Sequence, residues 1–196
     1  LISVMDREAD FFEIFDDQRR KSSRVDLLIR AQHNRKTMGE NKLFEEVMQS
    51  PIQSRITIKI PRQSARVKKK NQKARSKRAA RIAEGTVRYI RTELKPPPYF
   101  QEMPPISLWI IHVKEEKPPA GTKAVKWFLL TTIDIKSQHD ALDCIAWYCL
   151  RWRIEDWHRV LKTGCRIEDL AHHSAERLER AIAINLVIAW RIMLMT

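Results

Sequence analysis

Cysteine is scarce in this chain. Cys144, Cys149 and Cys165 are its only thiols in 196 residues, too few for a disulfide framework, which excludes a small secreted scaffold and fits a reducing cytoplasm. His172 and His173 follow Cys165, but the paired ligand spacing of a zinc site is missing. No secretory signal is visible. Nor is any uninterrupted apolar stretch long enough to span a bilayer. Ala175 to Met195 has Leu178, Ala181, Ile182, Ile184, Leu186, Ala189 and Ile192 at helical spacing. Glu176, Arg177, Glu179, Arg180 and Arg191 make it a packing helix rather than a span. Acid is also in short supply. Against 37 Lys and Arg stand 24 Asp and Glu, a net charge of +13, which favours a polyanion as partner. Much of the excess sits between Arg62 and Arg81, with ten Lys or Arg and no acid. A block of this kind grips nucleic acid through counterion release, with affinity that depends on salt and not on sequence.

Taken in order, Leu1-Ile-Ser-Val-Met5 is a short apolar run that ends in Asp6-Arg-Glu-Ala-Asp10. Phe11, Phe12, Ile14 and Phe15 then follow at helical spacing. A buried strand that delivers an acid at its C-terminal end, followed by a helix, is the α/β arrangement for a site. Asp6 stands where a metal-binding carboxylate would be placed, or it is simply the N-cap of the next helix. Val25 to Arg30 reads as a second strand, which makes Arg30 a candidate phosphate contact.

From residue 36 to 137 the texture changes. Ile56 to Ile60 alternates with period two, and Thr86–Leu94, Ile106–Val113 and Val125–Thr132 are rich in β-branched and aromatic residues. Pro96-Pro-Pro98, Pro104-Pro105 and Pro118-Pro119 mark the connections. The pattern predicts an antiparallel β insertion. Trp109, Trp152 and Trp157 are assigned to core.

Tyr148 to Lys162 contains no Gly or Pro and predicts one helix that stops at Thr163-Gly164. At about 100° per residue, Tyr148, Arg151, Glu155 and Lys162 fall within an arc of roughly 60°. Leu142, Ile145, Cys149, Trp152 and Val160 share a core-facing arc of roughly 80°. The first row offers a phenol, a guanidinium, a carboxylate and an ammonium, groups suited to holding Mg²⁺ and neutralising a phosphodiester.

The spacing Tyr148-x2-Arg151-x3-Glu155-x6-Lys162 resembles the YREK signature of bacterial insertion-sequence DDE transposases, the IS-four family. Asp6-Arg-Glu-Ala-Asp10 after an apolar strand resembles the family segment that carries the second catalytic Asp. The resemblance implies an α/β fold with a ribonuclease-H-like core. In it, residues 1–35 are the first part of the core, 36–137 the β-rich insertion, and 138–196 the second part with the C-terminal helix.

Asp6 and Glu155 are then the second and third acids of the triad and its metal ligands, with Glu8 and Asp10 in structural or orienting roles. Tyr148, Arg151, Arg159, Lys162 and Arg30 contact DNA. Trp127, in Trp-Phe-Leu-Leu-Thr, stacks on a flipped base. The implied cofactor is Mg²⁺ or Mn²⁺, two ions in the complete enzyme. The implied partner is double-stranded DNA at transposon ends, bridged by a homodimer in the bacterial cytoplasm. No residue matches the first catalytic Asp. The chain opens inside a strand without Met and stops just after a helix, so the expectation is a fragment of a cut-and-paste transposase, inactive alone. The alternatives are a non-catalytic DNA-binding remnant and another metal-dependent nuclease on the same fold.

Overall fold

A computed structural model describes residues 1–21, 24–62 and 79–195, so most of the basic stretch 62–81 lies outside the described residues. The chain forms two compact units, Leu1–Ile145 and Ala146–Thr196. None of the helices among the described residues is long and apolar enough to cross a membrane.

The first unit is built on a six-stranded sheet. Strand β1 is Ile2–Met5, β2 Asp26–Arg30, β3 Ser54–Ile60, β4 Arg81–Leu94, β5 Ile106–Glu115 and β6 Lys126–Thr131. The spatial order is β1-β2-β6-β5-β4-β3. β1 and β2 pair in parallel, with helix α1 (Phe12–Arg20) between them in sequence, and every other pairing is antiparallel. The predicted strands of 36–137 are thus present, and they continue the sheet begun by β1 and β2, because β6 pairs directly with β2. Leu27, Leu28 and Ile29 are all buried, as a central strand covered on both faces requires.

One face of the sheet carries Leu27, Ile29, Leu108, Ile110 and Leu130. These cluster with Phe12 and Phe15 of α1 and with Leu43 and Val47 of helix α2 (Leu43–Gln49). Each such side chain contributes about 1.5–3 kcal/mol when fully buried. Alternate residues Leu28, Val87, Ile111, Val113 and Leu129 are buried from the opposite face. Gly85 is required where β4 meets β5: a Cβ there would stand 2.7 Å from the Lys114 carbonyl oxygen.

His112 is buried within this unit. Its ring stacks on Phe128, with centroids 4.5 Å apart, and Phe128 stacks on Phe44 of α2 at 3.9 Å. Neither ring nitrogen finds a hydrogen-bond partner among the described residues. Burial, followed by the charges of Lys126, Arg88 and Lys114, pulls its pKa down from 6.5 to about 4. Between those values the unfolded chain binds the proton that the folded chain refuses, so stability rises with pH and is lost as pH falls through the window. The loss should reach about 2 kcal/mol near pH 4, discounted for solvent screening of the neighbouring charges. His112→Phe keeps the stack and should flatten the profile. Urea unfolding at several pH values checks this, and parallel profiles for the two proteins would refute it.

In the second unit, helix α4 (Arg153–Arg159) leads into a π-helical turn, Val160–Gly164, and helix α5 (Ala175–Leu194) packs against both. Leu178, Ala181, Ile182, Leu186 and Ala189 form its packed stripe. Ile184 and Ile192, expected in that stripe, are exposed. Ile184 lies about a third of a turn away from it, on a helix that is apolar over more than one face. Ile192 is in phase with the stripe but sits in the last turn of α5, past its last buried member, Ala189.

Candidate active site

Met5 on β1 pairs with Ile29 on β2. Asp6 and Arg30 therefore emerge level with one another at the C-terminal ends of adjacent parallel strands, which lie about 4.8 Å apart. This is the edge of an open α/β sheet where ligands are bound. Asp6 also serves as an N-cap: its Oδ1 accepts from the Arg7 amide at 2.9 Å, at the start of the 3₁₀ turn Arg7–Ala9. Capping occupies one oxygen of the carboxylate, so both roles weighed for this residue are chemically compatible.

Behind Asp6 stands Asp10, whose side chain is fully buried. Oδ2 accepts from the amides of Gln32 at 2.6 Å and His33 at 2.8 Å. Oδ1 accepts from Arg35 Nε at 3.2 Å and Nη2 at 2.8 Å, and Nη2 also donates to the Asp10 carbonyl. The loop after Arg30 is held from its other side too. Asn34 Oδ1 accepts from the Phe44 amide at 2.9 Å, and its Nδ2 donates to the Glu45 carboxylate at 3.0 Å. Sequence reading missed Arg35 and Asn34. Nothing local marks them, since Arg35 meets Asp10 only after the chain has crossed α1 and β2.

In the second half of the predicted site, one continuous helix over 148–162 is not what forms. Helix α3 (Gln138–Leu150) ends before Arg151, and α4 starts at Arg153. At the junction the amides of Arg151, Ile154 and Glu155 bond three residues back, to Tyr148, Arg151 and Trp152. This tighter turn interrupts the four-residue hydrogen-bonding pattern between Leu150 and Arg153. The Cys165 amide then reaches five residues back to Val160, a wider turn that carries Lys162. The four expected row members thus fall on α3, on the junction, on α4 and on the π-helical turn, rather than on one continuous helix.

The buried stripe of α3 is Ala141, Cys144, Ile145 and Tyr148. Tyr148 is fully buried and so is not on the solvent face expected of it. Of the stripe expected there, Ile145 is buried, while Leu142, Cys149, Trp152 and Val160 are half-buried. Burial pushes the Cys144 thiol up to about 12, which leaves no thiolate for nucleophilic or metal chemistry at neutral pH.

Arg151 is half-buried, with its guanidinium 4.9 Å from the centroid of Trp152 and 5.9 Å from that of Tyr148. Glu155 is exposed in the first turn of α4. Arg159 is exposed and pairs with Asp156 at 2.9 Å, and Lys162 pairs with Glu168 at 2.6 Å. Trp127 is half-buried on β6 opposite Val113. Trp109, expected in the core, is half-buried instead, and its indole donates to Asp134 at 3.2 Å. Trp157 is likewise half-buried.

Asp6, Arg30 and Trp127 thus belong to the first unit, and Arg151, Glu155, Arg159 and Lys162 to the second. A family model described as a transposase DDE domain matches residues 4–191, nearly the whole chain. By that match, which includes both Asp6 and the segment that carries Glu155, the chain belongs to the DDE transposase domain family.

Proposed function

We propose that this chain carries two of the three carboxylates of a cut-and-paste DNA transposase of the insertion-sequence type with a YREK signature. The proposed fold is a ribonuclease-H-like core, with residues 36–137 inserted into it. What carries the reading is the placement of Asp6 beside Arg30 at the ends of parallel strands in a member of the DDE family.

Asp6 and Glu155 are assigned to Mg²⁺ or Mn²⁺, two ions in the complete enzyme. Their donor set fits a hard cation that takes one or two protein carboxylates together with waters and phosphate oxygens. Among the described residues no three His, Cys, Asp or Glu side chains gather into a ready-made cation site. The assignment therefore relies on water, phosphate and a further carboxylate to complete the shell. Bound there, the metal supplies Lewis-acid polarisation of the phosphodiester and a strong oxygen nucleophile at neutral pH.

The chain's own residues bind and orient. Arg30 offers a two-pronged donor to phosphate, and Arg159 and Lys162 add exposed positive charge. Arg151 is a further phosphate contact, with Tyr148 as its support from behind. Trp127 stacks on an unpaired base, worth about 1–3 kcal/mol. The basic stretch 62–81 adds salt-dependent affinity. No residue is assigned as the first acid, so residues 1–196 alone are proposed to bind metal and DNA without efficient cleavage. The partners are transposon-end DNA and, on it, a second copy of the chain, in the bacterial cytoplasm at the nucleoid. The net charge of +13 also favours a second reading, a DNA-binding remnant without chemistry.

Iron-directed cleavage separates the two readings. Fe²⁺ with ascorbate and peroxide should cut the chain both near Asp6 and near Glu155, and Mg²⁺ should suppress both cuts together. Cuts at one site alone, or none that Mg²⁺ suppresses, would reject the shared metal and leave the DNA-binding remnant.

A further inference from the structure

We infer that Asp10 is a positioning residue for Asp6, setting its affinity for a divalent cation through Arg35 and the loop after Arg30. The inference rests on the assignment of Asp6 as a metal ligand. Asp6 and Asp10 are the ends of one closed turn: the Ala9 amide donates to the Asp6 carbonyl at 3.0 Å, and the Asp10 amide to that of Arg7 at 3.1 Å. The far end of this turn is the buried Asp10 carboxylate. Every group it holds (Gln32, His33, Arg35) lies within five residues of Arg30.

One side chain thereby fixes the metal-binding turn to the loop directly after the phosphate-binding arginine. The link continues inward, since the Leu43 amide donates to the Arg35 carbonyl at 3.0 Å and anchors the loop to α2. Asp10 does not itself have to touch the metal. Groups that orient a ligand from behind typically change metal affinity by about 10–100-fold when replaced. Coupling of this kind is reciprocal, so metal bound at Asp6 must tighten the clamp.

Mn²⁺ titration followed by electron paramagnetic resonance tests the inference on the whole chain. Asp10→Asn and Arg35→Lys should each weaken Mn²⁺ binding by about 10–100-fold at a temperature where circular dichroism reports both folded. Asp17→Asn, which removes an exposed acid of α1, should bind as the parent does. In the unmodified protein, saturating Mg²⁺ should slow amide exchange at Gln32 and His33. That measurement decides the matter even if Asp10→Asn does not fold. Parental Mn²⁺ affinity in a folded Arg35→Lys, or exchange at both amides indifferent to Mg²⁺, would overturn the positioning role while leaving Asp6 a ligand. Parental affinity in Asp6→Asn would instead overturn the ligand assignment, and the positioning role with it.

Discussion

Under the proposed function, Asp6→Asn is expected to reduce Mg²⁺-dependent strand cleavage at transposon ends by at least about 10³-fold in an active transposase that contains this chain, and Glu155→Gln by a similar factor. That is about 4 kcal/mol of transition-state stabilisation, within what a metal ion contributes to phosphoryl chemistry. Asp6→Asn is a clean substitution. The Asn oxygen can still accept from the Arg7 amide, and Asn is as good an N-cap as Asp, so the melting temperature should hardly move. Residues that serve one metal site act as a unit, so the double variant should be scarcely slower than either single one. End-labelled oligonucleotides carrying a transposon end provide the assay. A less than tenfold loss for Asp6→Asn would reduce Asp6 to its capping role.

Arg35→Met should destabilise the first unit by about 3–5 kcal/mol, the cost of leaving one member of a buried ion pair behind. The Asp10 side chain has no exposure and that of Arg35 only 15%. Methionine can replace much of the aliphatic stem's packing, so the loss isolates the missing charge and the donor fork. Exposed pairs give the contrast. Removing Lys21 from Asp17, whose side chains are 70% and 47% exposed, should change stability by no more than about 0.5 kcal/mol. Urea unfolding compares the two, and a loss under about 1 kcal/mol for Arg35→Met would mean that water reaches Asp10.

Local pattern was enough to read the strands. Period-two alternation marked β3, three consecutive apolar residues marked β2, and the acid after Met5 marked the strand end where Asp6 stands. Pairing was beyond its reach. That β6 sits beside β2 depends on contacts about a hundred residues apart, which alternation does not encode. Helix α2 escaped notice because its seven residues, fewer than two full turns, have too few periods to stand out.

The interruption at Arg151–Trp152 was illegible for a different reason. No Gly or Pro causes it; the backbone amides bond three residues back rather than four while the residues there keep their helical preference. An amphipathic wheel drawn through that point assigned Tyr148 to the outside, although it completes the buried run Ala141, Cys144, Ile145. The Asp10–Arg35 pair is the clearest case of information held only in three dimensions, since neither residue's neighbours hint at the other.

The sheet also bears on how such a protein can change over time. β3 and β4 stay in register up to the pair Ile60–Arg81, so the ends of the segment between them are pinned about 5 Å apart whatever that segment contains. Lengthening it costs only about 0.6 kcal/mol per doubling. A lineage could therefore exchange or extend this cationic stretch, and with it retune the hold on DNA proposed for it, without renegotiating the architecture that aims Asp6.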